Sequence, residues 1–297
     1  MNRALACAFP GQGVQRLGMA RYLQNTNSWR LFEEANDLLG YDLGKLTVEG
    51  PVELLNDTAK AQPAIFVTCY ALWDLYRDYY APQIVLGHSL GELTALAVAG
   101  AFSFADGVRL VARRGQCMDN NGEPGGMVAV LGLELSAVQE LCAEISSNSY
   151  VQVANENSPQ QIVVSGLDDG LELLSTEALA RGAKRVVRLK VSGPFHSSLM
   201  EPAASKFADV VQDVPISACK IPVLSNDGYT LLQEPDQIRR NLVEQMVNPV
   251  RFVASIHKLV ELGVTDFVEV SSDPLLIPLA RRIAPNLQFS LVSEGGM

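Results

Sequence analysis

QIVLGHSLGELTALAVA, residues 83–99, is the most informative segment of this chain. Its apolar residues 83–86 predict a buried strand, and its alanine-rich residues 92–99 predict a helix. The five residues between them form a GxSxG motif, which at a strand-to-helix turn is typical of a nucleophile elbow. Such a turn exposes the Ser89 hydroxyl, while the first N–H groups of the helix point towards any oxyanion formed there. The stretch therefore predicts acyl transfer through an acyl-serine.

The composition indicates a globular protein with a sizeable core, because 48% of the 297 residues are hydrophobic. There is no run of about 18 apolar residues and no signal-peptide cleavage pattern, so we expect a soluble, cytoplasmic protein that makes no use of a membrane. The five cysteines are scattered without CxxC spacing, which indicates neither a disulfide framework nor a metal site. A net charge of −10 argues against general nucleic-acid binding and leaves room for a local basic patch. We expect a monomer.

The order of strands and helices divides the chain into two units. Residues 4–9 predict a strand, and helical patterns then lead to the strand before Ser89, which is typical of an α/β fold. From residue 126 the order changes to strand, helix, strand, strand, helix, strand, which is ferredoxin-like. These elements are predicted at residues 127–131, 136–145, 151–154, 161–164, 171–181 and 185–191. We therefore expect an α/β-hydrolase-like large domain at residues 1–125 and 194–297, with an inserted ferredoxin-like subdomain at residues 126–193.

A nucleophilic serine needs a base, and the chain has three histidines to supply one. His88 lies beside Ser89 in the turn and is expected to project to the opposite side. His257 lies in an amphipathic helical pattern, where a histidine at the boundary is usually structural. His196 follows a Gly-Pro pair in a loop after a predicted strand, where functional side chains are commonly displayed. His196 is therefore the predicted base.

Seven short motifs are spread over nearly the whole chain: Phe9-Pro10-Gly11-Gln12-Gly13, Gln62-Pro63, Gly87-His88-Ser89-Leu90-Gly91-Glu92, Arg114-Gly115, Asn155-Glu156-Asn157-Ser158-Pro159, Gly193-Pro194-Phe195-His196-Ser197, and Gln245 with Asn248-Pro249-Val250. In this order they resemble the malonyl-CoA:acyl-carrier-protein transacylase family, which includes discrete acyltransferases that serve polyketide synthases. Together they are far more specific than GxSxG alone. The resemblance also implies the ferredoxin-like insertion.

The resemblance implies a catalytic dyad. Ser89 would be the nucleophile and His196 the general base, with its imidazole oriented by the main-chain carbonyl of Gln245. No carboxylate stands out in the sequence as a third member. The oxyanion hole would consist of the backbone N–H groups of Leu90 and Gln12, and the glycines beside Gln12 allow that loop to approach closely. The alternative for Gln12 is an ordinary position in a glycine-rich turn.

The resemblance also implies the substrate class. Arg114 lies in a predicted helix with Arg109 and Arg113, which we interpret as solvent-exposed. Arg114 matches the family's carboxylate-binding arginine, whose planar guanidinium can hold a malonyl carboxylate through two hydrogen bonds. Phe195 matches a position where related polyketide acyltransferases carry Phe for malonyl and Ser for methylmalonyl units. Its alternative role is packing.

The densest positive run in the chain is residues 181–190. Within it, Lys184 and Arg185 match family positions near the coenzyme A phosphates or the approach of the carrier protein. Asn155 and Asn157 match polar positions in the same cleft. Most charge runs are solvated faces, but an acidic carrier protein needs a basic landing site on an acidic enzyme. We therefore expect these four residues to bind substrate.

Together these features predict a ping-pong transfer of malonyl from malonyl-CoA, through Ser89, to the phosphopantetheine thiol of an acyl carrier protein. Malonyl-CoA is the donor, and no bound cofactor is expected. Residues 269–276 depart from the Glu-Val-Gly-Pro-Gly type pattern of the fatty-acid enzymes and favour polyketide supply. Two alternatives remain open. One is an acyl-thioester hydrolase that unloads carriers, and the other is a non-catalytic module that docks a carrier protein.

Overall fold

The computed structural model describes residues 4–119 and 124–293, which form two β-sheets covered by helices. Its strands are β1 (Leu5–Phe9), β2 (Ile84–Gly87), β3 (Gly126–Leu131), β4 (Val151–Ser158), β5 (Gln161–Gly166), β6 (Arg185–Arg188), β7 (Val223–Leu224), β8 (Leu231–Leu232), β9 (Asp266–Val270) and β10 (Gln288–Val292). Its α-helices are α1 (Arg30–Leu39), α2 (Leu43–Glu49), α3 (Val52–Leu55), α4 (Thr58–Tyr76), α5 (Leu90–Val98), α6 (Phe104–Asp119), α7 (Leu135–Ile145), α8 (Asp168–Ala180), α9 (Glu201–Gln212), α10 (Pro235–Glu244), α11 (Phe252–Glu261) and α12 (Ile277–Ile283). Within the described ranges, every helix is too short or too polar to cross a bilayer.

The larger sheet has six strands in the order β10-β9-β1-β2-β7-β8. Neighbouring strands are parallel except for the β7 and β8 pair. Side chains alternate along β1: Cys7 and Phe9 join a core with α4, α5 and α6, whereas Ala6 and Ala8 join a core with α11 and α12. Helices therefore cover both faces of the sheet, as parallel strands require. This is the predicted α/β-hydrolase-like arrangement.

The smaller sheet has four antiparallel strands in the order β4-β5-β3-β6. α7 and α8 share an apolar core with its inner strands. The chain order β3-α7-β4-β5-α8-β6 is ferredoxin-like, as predicted. The predicted domain boundaries stay predictions. Residues 120–123, beside the first boundary, and residues 1–3 and 294–297 of the outer segments lie outside the described residues.

β4 is longer than the sequence pattern predicts. It continues to Ser158, whereas the apolar alternation ends at Ala154. Its pairing with β5 shifts register twice between Val153 and Ser158, and these irregularities remove the alternation that would have marked the strand. The extension also bonds to the segment before α11, where Asn155 bridges Val250. β4 therefore links the smaller sheet to the layer that carries Ser89.

Candidate active site

Ser89 lies on a sharp turn between β2 and α5. β2 ends at Gly87, α5 begins at Leu90, and Ser89 has a φ of 51°, which is unusual for a residue other than glycine. A Cβ atom on Gly87 would lie 1.9 Å from the carbonyl carbon of Gly91, so only glycine fits there. The Ser89 N–H donates to Oδ1 of Asn226 at 2.9 Å. These contacts hold Ser89 in the strained conformation of a nucleophile elbow.

His196 is the imidazole that reaches Ser89. Its Nε2 lies 2.7 Å from the Ser89 Oγ, and its Nδ1 lies 2.8 Å from the Gln245 carbonyl oxygen and 3.2 Å from that of Asn248. Carbonyl oxygens only accept, so Nδ1 carries the proton and Nε2 is free to accept one from the serine hydroxyl. Burial, followed by the charge of Arg114, lowers the pKa of His196 to about 3. The imidazole is therefore neutral at neutral pH and able to act as a base.

Arg114 supplies a buried positive charge beside the nucleophile. Its Nη1 donates to Oε1 of Gln62 at 3.0 Å, and its Nη2 donates to Oε1 of Gln245 at 2.9 Å. Nη2 also lies 3.3 Å from the Ser89 Oγ. Among the described residues, the Arg114 Nε has no hydrogen-bond partner, and no carboxylate forms an ion pair with this side chain. The guanidinium is 0% exposed, and burial lowers the pKa of Arg114 to about 10, so it stays charged at neutral pH.

The two other arginines of α6 are exposed, as predicted. Arg109 forms an ion pair with Asp106 at 3.2 Å, and Arg113 donates to Oε1 of Gln116 at 3.1 Å. Arg114 differs because it lies on the face of α6 that packs into the interior. A buried guanidinium held by neutral amides keeps its charge available for an anion.

The loop that carries Gln12 packs directly against the elbow. A Cβ atom on Gly11 would lie 2.5 Å from the His88 carbonyl oxygen and 3.6 Å from the Leu90 nitrogen. The bare glycine therefore allows this loop to lie beside the start of α5. Gln12 is half-buried, and its Nε2 donates to Oγ1 of Thr58 at 3.4 Å. Gln12 and Leu90 thus lie on neighbouring segments beside Ser89.

Asn157 contacts His88, the residue before Ser89, and Phe195 directly precedes His196. The His88 ring lies against the Phe252 ring, and its Nε2 donates to Oδ1 of Asn157 at 2.7 Å. Burial lowers the pKa of His88, so this ring is neutral. Phe195 is 4% exposed, and its carbonyl oxygen accepts from the hydroxyl of Ser165. Asn155 is also buried, on the part of β4 that bridges to the segment following Gln245.

Lys184 and Arg185 are exposed at the start of β6. β6 and β4 are the two edge strands of the smaller sheet, so these cations lie roughly 14 Å, three strand spacings, from Asn155 and Asn157. The structure therefore does not bring the four residues together at one point. Two arginines of the basic run form ion pairs, Arg181 with Glu144 and Arg188 with Asp168. Within the described chain, Lys184, Arg185 and Lys190 form no ion pair, so they carry the unpaired positive charge of this run.

His257 lies in the middle of α11 and is exposed.

Three residues of the site had no role assigned from the sequence. They are Gln62, Asn226 and Glu92. Glu92 is a fully buried carboxylate in the first turn of α5. Burial raises the pKa of Glu92 to about 7 even though hydrogen bonds from neighbouring amides and the charge of Arg114 oppose the rise. A single acid in an otherwise apolar, alanine-rich helix was the available signal for Glu92. No local pattern marks Asn226, because it meets Ser89 only in the folded chain.

A strained serine, a neutral imidazole and a buried arginine on this fold define a serine acyl-transfer site. The comparisons with known proteins agree. The family model described as "Acyl transferase domain" matches residues 8–284, and the chain belongs to that family.

The relatives are similar over nearly their whole length. The malonyl CoA-acyl carrier protein transacylase of Bacillus subtilis is 41% identical over 297 residues, which are 98% of this chain and 93% of that protein. The crystal structure of the acyl-carrier-protein S-malonyltransferase of Burkholderia pseudomallei superposes with a TM-score of 0.95 at 39% identity, covering 97% of this chain and 96% of that one. A structure of a malonyl-transacylase in complex with its type II polyketide synthase acyl-carrier protein gives a TM-score of 0.94 at 36% identity, with 97% and 95% covered.

Proposed function

We propose that this protein transfers a malonyl group from malonyl-CoA to the phosphopantetheine thiol of an acyl carrier protein. The observation that carries the proposal is Arg114, a fully buried cation 3.3 Å from the Ser89 Oγ, with an unpartnered Nε and no direct ion pair to an acidic side chain in the described chain. Such a charge is costly unless an anion meets it. A malonyl group brings a carboxylate to this place, whereas acetyl does not. The named relatives are malonyl transferases, which supports the same substrate.

The first half of the cycle loads the enzyme. The malonyl carboxylate accepts hydrogen bonds from the Arg114 guanidinium, which sets the thioester carbonyl beside Ser89. The Ser89 Oγ attacks the carbonyl carbon while its proton passes to His196 Nε2. The N–H groups of Leu90 and Gln12 stabilise the resulting oxyanion. The tetrahedral intermediate then collapses, the carbon–sulfur bond breaks, and the coenzyme A sulfur leaves with the proton from His196.

The second half unloads the enzyme onto the carrier. His196 takes the proton of the phosphopantetheine thiol, and the sulfur attacks the malonyl-Ser89 ester. Collapse of the second intermediate breaks the ester bond, and His196 returns the proton to Ser89. Electrons are neither gained nor lost, so the proposed cycle needs no metal or redox cofactor. The Gln245 and Asn248 carbonyls keep the imidazole in the tautomer that both halves require.

The remaining residues serve specificity and docking in this proposal. Phe195 limits the room beside the α-carbon and favours malonyl over methylmalonyl, a discrimination of about 1–3 kcal/mol for one methyl group. Asn155 and Asn157 line the path of the pantetheine chain. Lys184 and Arg185 attract the coenzyme A phosphates or the acidic carrier protein from the far edge of the smaller sheet, where long side chains and a long-range field can act.

The proposal also includes the oligomeric state, the roles of the two domains, the pathway of the carrier protein and the location in the cell. Ser89, His196 and Arg114 all come from one chain, so the enzyme is complete as a monomer. The α/β-hydrolase-like segments at residues 1–125 and 194–297 hold the chemistry, and the insertion at residues 126–193 carries the basic edge. The carrier protein belongs to polyketide or fatty-acid synthesis, and these substrates place the enzyme in the cytoplasm.

The test separates transfer from hydrolysis. Purified protein is incubated with malonyl-CoA, with and without a phosphopantetheinylated carrier protein, and both malonyl-carrier and free malonate are measured. We expect malonyl-carrier to form rapidly and malonate to form slowly in either case. Rapid malonate release without a carrier would replace the transferase with a hydrolase. If neither malonyl-carrier nor malonate forms, a non-catalytic docking module is favoured.

A further inference from the structure

The buried carboxylate of Glu92 is surrounded by hydrogen-bond donors. One oxygen, Oε2, accepts from the Asn226 backbone N–H at 2.6 Å and from the Asn226 side-chain amide. The other, Oε1, accepts from the Asn241 side-chain amide and from Nε2 of Gln245 at 3.3 Å. Four N–H groups thus converge on two oxygens. This arrangement suits an ionised carboxylate, which only accepts, and this form predominates above the Glu92 pKa of about 7.

Two of these amides turn their oxygens towards the catalytic residues. The Asn226 Nδ2 donates to Glu92, and the Asn226 Oδ1 accepts from the Ser89 N–H. In the same way, the Gln245 Nε2 donates to Glu92, and the Gln245 Oε1 accepts from the Arg114 Nη2. An amide that has an acceptor on one side must offer its oxygen on the other. The acceptor-only carboxylate therefore fixes which way both amides point.

We propose that Glu92 is a positioning residue that sets the orientation of the Asn226 and Gln245 amides and so holds Ser89 and Arg114 in place. The inference rests on the proposed function, because it explains how the malonyl-binding arginine is kept ready. Within the described chain, the Glu92 carboxylate bonds to Asn226, Asn241 and Gln245 and not to the side chains of Ser89 or Arg114. It acts through the two amides. Its negative charge also balances the buried Arg114 guanidinium, from which the Gln245 amide separates it, and leaves free the donors that a substrate carboxylate needs.

Two substitutions separate polarity from shape. Glu92→Gln keeps the size of the side chain but adds an N–H donor that must face one of the four donors around it. If the Gln245 amide rotates to accommodate it, an N–H group faces Arg114 instead of an oxygen. Glu92→Asp is shorter but still only accepts. The proposal therefore expects the isosteric variant to be the more damaging of the two.

The measurement is the ratio of kcat/KM for malonyl-CoA to that for acetyl-CoA. Loss of one hydrogen bond to a charged group corresponds to at least about a tenfold fall in this ratio for Glu92→Gln. Glu92→Asp is expected to keep more of the ratio. In an Arg114→Ala background, Glu92→Gln should lower the ratio no further, because the arginine through which it acts is gone.

Thr94→Val is the matched control. Thr94 lies on the same helix, is fully buried, and its hydroxyl has no partner among the described residues. The substitution keeps the shape and should leave both the malonyl rate and the ratio unchanged. Thermal unfolding of all variants checks the fold. If Glu92→Gln does not fold, Glu92→Asp carries the test, and a ratio within about threefold of wild type supports the proposal.

The proposal is overturned if Glu92→Gln keeps the wild-type ratio, if Glu92→Asp loses more of it than Glu92→Gln does, or if the losses in the double variant simply add. In each of these outcomes the wild-type protein still transfers malonyl, so the proposed function stands. A wild-type protein that does not transfer malonyl overturns the proposed function and the assignment of Glu92 with it.

Discussion

Replacing Arg114 with alanine should invert the choice of acyl donor. The guanidinium can offer a substrate carboxylate its unpartnered Nε and the Nη2 that now lies 3.3 Å from the Ser89 Oγ. Each charge-assisted hydrogen bond contributes about 1.5–3 kcal/mol, so the two together give an upper range of about 3–6 kcal/mol. The space left by the side chain admits water, which recovers part of this. A loss of about 2–4 kcal/mol remains, or roughly 30- to 1,000-fold in kcat/KM for malonyl-CoA.

Acetyl-CoA brings no charge to this place and should lose little, or gain, in the same variant. The assay is kcat/KM for both donors with the wild-type protein, Arg114→Ala and Arg113→Ala. Arg113 is the exposed neighbour on the same helix, and its replacement should change neither rate. A parallel fall for both donors in Arg114→Ala would mean that Arg114 supports the fold or binds coenzyme A. An unchanged malonyl rate would remove the arginine from the site altogether.

Ser89→Ala should abolish the acyl-enzyme, because alanine offers no oxygen for the ester; a malonyl adduct that persists in the intact mass of the variant would identify another nucleophile. His196→Ala should lower turnover by a factor on the order of 10² to 10⁴, measured against His257→Ala, whose exposed imidazole should be dispensable. Lys184→Glu combined with Arg185→Glu should weaken transfer to the carrier protein far more than transfer to a small pantetheine thiol, and added salt should mimic the change, since exposed charges are screened beyond about 8 Å at physiological ionic strength. Equal losses with both acceptors, insensitive to salt, would place the carrier site elsewhere.

Features fixed by local pattern were predictable from the sequence. The strand before Ser89 and the helix after it follow from an apolar run and an alanine-rich stretch, and the ferredoxin-like order follows from the spacing of its elements. The second half of β4 could not be predicted from local pattern. Its register shifts break the alternation of apolar and polar residues, and its bridge to Val250 joins residues that are far apart in the sequence.

Less of the candidate site could be predicted from local sequence pattern. A helix with three arginines does not say which one is buried, and only the resemblance singled out Arg114. Asn226 meets Ser89 across 137 positions of the chain, and Glu92 meets Gln245 across 153. Contacts of this kind form only when separate elements pack together, so residue type and spacing along the chain do not predict them. For the same reason the sequence grouped Lys184 with Asn157, which the fold places on opposite edges of one sheet.

The most direct test of the malonyl transferase is the acyl group that Ser89 selects. The purified protein is incubated with an equimolar mixture of acetyl-CoA, malonyl-CoA and methylmalonyl-CoA, and the adduct is identified by intact mass and mapped by peptide fragmentation. The proposed site predicts a malonyl ester on Ser89 that disappears when the carrier protein is added and reappears on the carrier. An acetyl ester on Ser89, or no adduct on this residue, would contradict it.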